Sequence, residues 1–346
     1  MRQLAIQSVG AFTPVGLNVG QTMGSLRTRL ARFQEVQVYP PQEGEPLVCA
    51  PTPILNDVAV GADRLVVMAS HALAECARGF EAEPAPLLLC APEPDEMTLN
   101  AEALLGRIAE HASVRIELEQ SRLFAGGHAA VVPALAAADA LLASGRVPAC
   151  YVAGVDSLLD LARLRRLMGE QRIATEDVWD GVIPGEAAAC LRISRRRDAR
   201  ALAWVRGFGM AEEPATRASR KPNSAQGMTR AVRAALADAE VTMQQIALHA
   251  YDLSGERYRF YEAAIAHTRL RPRRKDRLAA LTVAVSVGEV GAALGPLTLA
   301  YAAFMLRMGG VSVPEELGAI PAGVLYTGGA EGPLRGAVFL SEIGHG

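Results

Sequence analysis

Two stretches of this chain carry apolar residues on every side of a helix. One runs from about Ala130 to Ala143, made almost wholly of Ala, Val and Leu, and the other from about Ala292 to Met308. A helix without a polar face must be buried all round. Each is preceded by an amphipathic helix and a short apolar strand. In the first half these are Asp63–Arg78 and Leu87–Cys90; in the second, Met228–Ala239 and Ile246–Ala250. Each is closed by glycine, at Gly145 and at Gly309–Gly310, and followed by a further strand, Ala149–Val155 or Gly323–Thr327. Helices alternating with β-rich runs predict an α/β layered architecture. The repeated order predicts two pseudo-duplicated halves, 1–197 and 198–346, joined near Ser194–Ala201. Two sheets enclosing a central helix pair, with helices outside, make five layers, αβαβα.

The run Leu278–Leu306 carries one charged residue, Glu289, and is long enough to span a bilayer. Gly288, Gly291, Gly295 and Pro296 interrupt it, and Thr282–Val287 reads as a strand, so a buried strand and a buried helix are expected instead of a membrane span. The opening MRQLAIQSVGAF, polar early and followed by Pro14, makes a poor signal peptide.

Composition adds bounds. With 346 residues, 50% hydrophobic and 21% charged, the chain can bury a sizeable core. A net charge of −2 gives no overall attraction to nucleic acid or anionic membrane, and neither is an expected partner. Two basic clusters, Arg195, Arg196, Arg197 and Arg200, and then Arg269, Arg271, Arg273, Arg274, Lys275 and Arg277, fall in expected loops and read as solvated surface. Five scattered cysteines without a CxxC pair fit reduced thiols in a cytoplasm; no metal site and no cofactor are expected.

Several segments, in order, resemble the β-ketoacyl-acyl-carrier-protein synthases of the thiolase superfamily. They are Gly10–Thr22 (GAFTPVGLNVGQT), Asp63–Arg64 with its Ala-rich helix, Leu141–Leu159, Asp180–Ser194 (DGVIPGEAAACLRIS, similar to DGFxxGEGAAxLxLE) and Gly227–Val241. The resemblance implies a thiolase fold in a chain shortened by several dozen residues.

It also implies a site, and the site is altered. The family places a cysteine thiolate at the start of the first buried helix, where helix N–H groups lower the thiol pKa. Counting back from Gly145, that position is His128, with no cysteine within twenty residues. The HGTxTxxGD motif aligns with Ala250–Arg259, placing Tyr251 at the first catalytic histidine; His249, two residues earlier, shares its strand face. In the KSxxGHxxGAAG loop, Ala284 replaces lysine and Glu289 replaces histidine, and GFGGxN has become Thr327-Gly-Gly-Ala-Glu-Gly-Pro. His128, Tyr251 and Glu289 are expected to face one another.

The resemblance therefore implies a non-catalytic relative, as chain-length-factor subunits are. Such a protein acts as scaffold, adaptor or partner subunit: a homodimer, or a heterodimer with a ketosynthase-like paralogue. An acyl carrier protein, or a secreted effector or its chaperone as in bacterial type VI secretion, are further partner readings. The alternative is an acyl-thioester enzyme of altered chemistry, decarboxylating or hydrolysing with His128 or His249 as base.

Overall fold

The computed structural model describes residues 3–37, 45–53, 55, 61–92, 100–196, 200–219, 221–270, 279–310 and 323–343. The first half supplies β1 (Leu4–Phe12), α1 (Val19–Thr28), a small hairpin of β2 (Gln34–Val36) and β3 (Leu47–Cys49), α2 (Gly61–Cys76), β4 (Leu87–Cys90), α3 (Ala101–Ala112) and β5 (Arg122–Phe124). There follow α4 (Val131–Ala143), β6 (Ala149–Ser157), α5 (Leu161–Gly169) and β7 (Glu186–Ser194). The second half supplies β8 (Ala203–Glu212), α6 (Gln226–Ala239), β9 (Leu248–Tyr251), α7 (Arg257–Leu270), β10 (Ala279–Leu281), the short α8 (Ala284–Val287), α9 (Leu294–Arg307), β11 (Gly323–Gly329) and β12 (Leu334–Ser341). The 197/198 division lies outside the described residues.

The large strands form one ten-stranded sheet, ordered β10-β9-β11-β12-β8-β1-β7-β6-β4-β5. Read outward from its centre, each five-strand group repeats one pattern. In the first group β4 is parallel to β5 and β6, and β7 is antiparallel to β6 and β1. In the second, β9 is parallel to β10 and β11, and β12 is antiparallel to β11 and β8. The groups meet where Leu4–Ile6 of β1 pairs antiparallel with Ala203–Val205 of β8.

Alternation along the strands splits the core. One face of both groups packs on α4 and α9: Val152, Leu191 and Ile193 from the first, Val205, Ala250, Tyr326 and Val338 from the second. The opposite face of the first group packs on α2 and α3, and that of the second on α6 and α7. The expected five layers are thus present. In α9 eleven of fourteen residues are buried, and each fully buried leucine contributes about 2 kcal/mol. Pro133 and Pro296 occupy the first turns of α4 and α9, where a missing N–H costs nothing. Among the described residues no helix is long and apolar enough to cross a membrane.

One expected element is different. Within Thr282–Val287, the expected strand, residues 284–287 form α8, and it is Ala279–Leu281 that pairs with β9. Alternating Val residues mimic a strand there, but the chain turns toward the domain centre and ends the helix at Gly288.

Two segments singled out in the sequence meet in space. Arg64 at the start of α2 donates from Nε and Nη2 to the buried Glu186 carboxylate, at 2.5 and 2.6 Å. Thr52 N–H and the Ser157 hydroxyl complete it at 2.7 and 2.9 Å. The Arg64–Glu186 pair ties α2 to the start of β7.

Candidate functional site

The starts of the two buried helices lie side by side. Before α4, Gly126 (φ 134°) and Gly127 (φ 52°) make the turn that leads into a 3-10 segment, Gly127–Ala130, and seat His128 inside the core at 2% exposure. The Tyr326 hydroxyl donates to the His128 carbonyl at 2.7 Å. Before α9, a second 3-10 segment, Gly291–Ala293, begins beside Asp156. A Cβ on Gly291 would lie 1.9 Å from Asp156 Oδ2, so only glycine fits.

Around His128 the side chains form a closed ion cluster. Its Nε2 lies 2.6 Å from Glu289 Oε1, and its Nδ1 lies 3.0 Å from Asp252 Oδ2. Glu289 Oε1 also accepts the Gly291 N–H at 2.7 Å, and its Oε2 accepts from the Ser254 hydroxyl. Asp252 Oδ2 accepts from Gly329 N–H at 2.8 Å and from Arg259 Nη1 at 3.3 Å, and the same Nη1 donates to the Gly329 carbonyl at 3.0 Å. Glu289 is itself held by its backbone, which exchanges hydrogen bonds of 2.8 Å with Ile183 O and Gly185 N–H in the DGVIPGEAAA segment.

The charges follow from the geometry. Burial by itself would strip the proton from His128. Attraction to Glu289, with the hydrogen bonds to Asp252 and Glu289, outweighs burial and the opposing Arg259 charge, raising the imidazole pKa to about 9. At neutral pH the ring is therefore a cation donating from both nitrogens. Burial would raise the Glu289 and Asp252 carboxyls, but His128 and Arg259 hold both below their ordinary values. Two cations and two anions sum to zero.

The cluster runs on toward the surface. Arg259 approaches Glu256 at 3.7 Å and Glu331 at 3.8 Å, and Arg172 binds the same two carboxylates, at 2.6 Å each. Beside it the buried Arg335 pairs with Glu262 at 2.8 Å and donates to the carbonyls of Ala330, Gly332 and Leu334, fixing the turn between β11 and β12.

Of the trio expected from the sequence, the structure brings two residues together. His128 and Glu289 meet, but Tyr251 faces away: its ring stacks on His249, centroids 3.8 Å apart, and its hydroxyl lies 3.4 Å from His267 Nδ1. Asp252 takes the third place. On β9, Leu248 and Ala250 face the central helices, and the period of two carries that face on to residue 252. His249 does share the Tyr251 face, as expected, and its Nε2 lies 3.1 Å from Thr327 Oγ1, outside the ion cluster. Ala284 is buried as the first residue of α8. The altered loop from Thr327 forms the end of β11 and its turn, and reaches the cluster through Gly329. Asp252, Ser254 and Arg259 were not read from the sequence; alternation along β9 marks Asp252, and nothing local marks Arg259.

All five cysteines are free and buried. Burial pushes the Cys49 and Cys150 thiols up to about 12 and raises Cys90 and Cys190, so these four are not nucleophilic thiolates. Among the described residues no group of three or more His, Cys, Asp or Glu is arranged for a metal ion. Asp252 and Glu289 bond opposite nitrogens of one ring and do not converge on a point. Of the basic clusters, Arg195 pairs with Asp139 at 2.5 Å, whereas Arg197, Arg271, Arg273, Arg274, Lys275 and Arg277 lie outside the described residues.

No protein-family model matches the chain, and no curated protein matches it by sequence. Solved structures do. An oxazolomycin ketosynthase domain of Streptomyces albus superposes with a TM-score of 0.78 at 13% identity, over 100% of this chain and 76% of that one. The ishigamide ketosynthase/chain length factor gives 0.73 at 17%, over 99% and 100%. A ketosynthase solved with its type II polyketide synthase acyl-carrier protein gives 0.79 at 11%, over 99% and 100%. What is shared at such identities is architecture, and the chain is therefore built on the ketosynthase form of the thiolase fold.

Proposed function

We propose that this chain is a non-catalytic ketosynthase-like protein that acts through protein–protein contacts as a scaffold, adaptor or partner subunit. The observation that carries the reading is His128. It stands at the helix start where the resemblance places the nucleophilic thiol, and it is an imidazolium bonded on both nitrogens. Condensation needs a thiolate for acyl transfer and donors for the enolate oxygen. A ring that already donates both protons has no lone pair to act as base, and a neutral ion cluster offers an enolate no net positive charge. Asp252, Ser254 and Glu289 spend hydrogen bonds on His128, on one another and on the Gly291 and Gly329 N–H groups, as in a filled site.

The partner in this reading is a ketosynthase-like chain, either a second copy or a paralogue. The likeness to a ketosynthase/chain length factor, and to a ketosynthase solved with an acyl-carrier protein, supports partners of that kind. The setting is the cytoplasm, where five free thiols stay reduced.

The test is incubation of the purified protein with labelled acyl and malonyl thioesters of coenzyme A and of a carrier protein. No covalent label, no thioester loss and no carbon dioxide above buffer are expected, with His128→Ala indistinguishable from the parent. Turnover that disappears in His128→Ala or His249→Ala would establish the enzyme reading instead. Sedimentation and co-purification from the native host test the partner: a stable dimer or a ketosynthase-like companion is expected, and a lone monomer sinks it.

A further inference from the structure

The non-catalytic reading leaves open which surface a partner meets, and one surface stands out. Trp179 is 74% exposed, the most exposed of the large apolar side chains described. Tyr261 and Phe260 on α7 are 60% and 48% exposed. Arg257 joins them. Its guanidinium lies over the Trp179 ring, 5.0 Å from the centroid, and Phe260 and Tyr261 follow it by three and four residues, which puts all three on one side of α7.

This surface is held in place. Arg257 N–H, at the start of α7, donates to the Asp180 carboxylate at 2.5 Å, and Val178 N–H donates to the Thr175 hydroxyl at 3.1 Å. Tyr258, on the other side of the helix, is fastened to the Ala215 carbonyl at 2.9 Å. An aromatic ring fixed in water on a braced loop gains nothing from folding, and Trp, Tyr and Arg are the residue types that dominate docking energetics.

Charge selects the occupant. Arg172, Arg217, Arg259 and Arg335, all in this region, are paired with carboxylates. Among the described residues none pairs with the Arg257 guanidinium, although Glu176 and Asp177 are exposed on the loop that carries Trp179. The exposed face of α7 reads Arg257, Phe260, Tyr261, Ala264, Thr268, Arg269, and contains no acid. A guanidinium resting on an aromatic ring keeps its N–H edge for a planar acceptor.

We propose that the surface formed by Trp179, Phe260, Tyr261 and Arg257 docks a partner segment in which a carboxylate flanks a large apolar side chain. The proposal rests on the protein–protein reading and names its surface. The probe is a fluorescently labelled amphipathic helix of leucine, glutamate and alanine, compared with its lysine counterpart, titrated into the full chain and followed by anisotropy. Saturable binding of the glutamate peptide is expected, weakened about tenfold or more by Trp179→Ala and by Tyr261→Ser. Arg257→Glu should reverse the preference toward the lysine peptide, a gain that no folding defect produces.

Absence of saturable binding overturns the proposal, as does equal affinity for both peptides or binding that all three variants leave unchanged. If the variants instead dissociate a dimer in sedimentation, the surface is a contact between copies and the acidic partner is lost. Thioester assays run on the same samples separate the two readings. Failed peptide binding with intact thioesters removes only the docking surface, and thioester turnover removes the non-catalytic reading whatever the peptide does.

Discussion

The two buried helices begin in opposite electrostatic surroundings. At the start of α9 the N–H groups of Gly291 and Ala292 meet carboxylates, Glu289 Oε1 at 2.7 Å and Asp156 Oδ2 at 2.9 Å. That is the arrangement a helix dipole favours. At the start of α4 no side chain caps the helix, and the group in place is the cation His128. A cation there opposes the dipole, so the site is stable only because Asp252 and Glu289, both from the second half of the chain, neutralise it. One atom serves both starts, since Glu289 Oε1 accepts from His128 and from Gly291. The same local geometry therefore supports an anion directly at one helix and a cation only with borrowed counter-charges at the other.

The comparison is broken most severely by Glu289→Ala. It strands the His128 cation with one partner and leaves Ser254 and the Gly291 N–H unmet, at a cost of about 3–5 kcal/mol in urea denaturation. Glu289→Gln, which keeps an acceptor, should lose less. If both variants match the parent, the cluster holds nothing together.

His128→Cys restores the nucleophile type and tests whether the site is retired or only re-equipped. A loss of about 3 kcal/mol is expected, because two buried carboxylates lose their cation. No acyl label should appear, because Asp252 and Glu289 disfavour a thiolate between them. Labelling by an acyl thioester would show the pocket still competent.

At the other helix, Asp156→Asn keeps an acceptor for Ala292 N–H but weakens the pair with Arg163, and should cost about 1–2 kcal/mol in the same assay. A loss as large as that of Glu289→Ala would show that the α9 start, rather than His128, governs the cluster.

The pH profile distinguishes the two starts by the direction in which each loses stability. The His128 pKa is raised in the fold, from 6.5 to about 9, so its contribution is complete below about pH 6.5 and is lost as pH climbs through about 9. Glu289 and Asp252 are lowered, so theirs is complete above their ordinary values of 4.5 and 3.8 and is lost on acidification. Urea midpoints should fall between pH 7 and about 9 in the parent and stay flatter in His128→Cys over the same span. An alkaline fall of equal size in both would assign it to another group.

The sequence carried much of this architecture because its strongest signals are physical demands. Two helices apolar on all sides have to be sandwiched, and the order of strands around them repeats. The pairing of Arg64 with Glu186, 122 residues apart, joins two segments that stood out for their resemblance. His128 and Glu289 were legible through the same resemblance. The third cluster residue was missed by one position, because the strand was aligned on the face of His249 when the core-facing series is Leu248, Ala250 and Asp252. Arg259 was illegible, since only the docking of α7 brings it to Asp252. In place of the strand expected over Thr282–Val287 there is a helix from Ala284, because alternating valines fit any half-buried element and tertiary position decides.

The shared Glu289 oxygen has a consequence for synthesis on the ribosome. Residues 1–197 emerge before the chain that contains Asp252 and Glu289 exists, so His128 has no counter-ions and leaves the ribosome with its ring at an ordinary, largely neutral protonation state. The imidazole acquires its proton only when the second half docks. Docking of the second half is therefore a proton-uptake event that charges a residue of the first half.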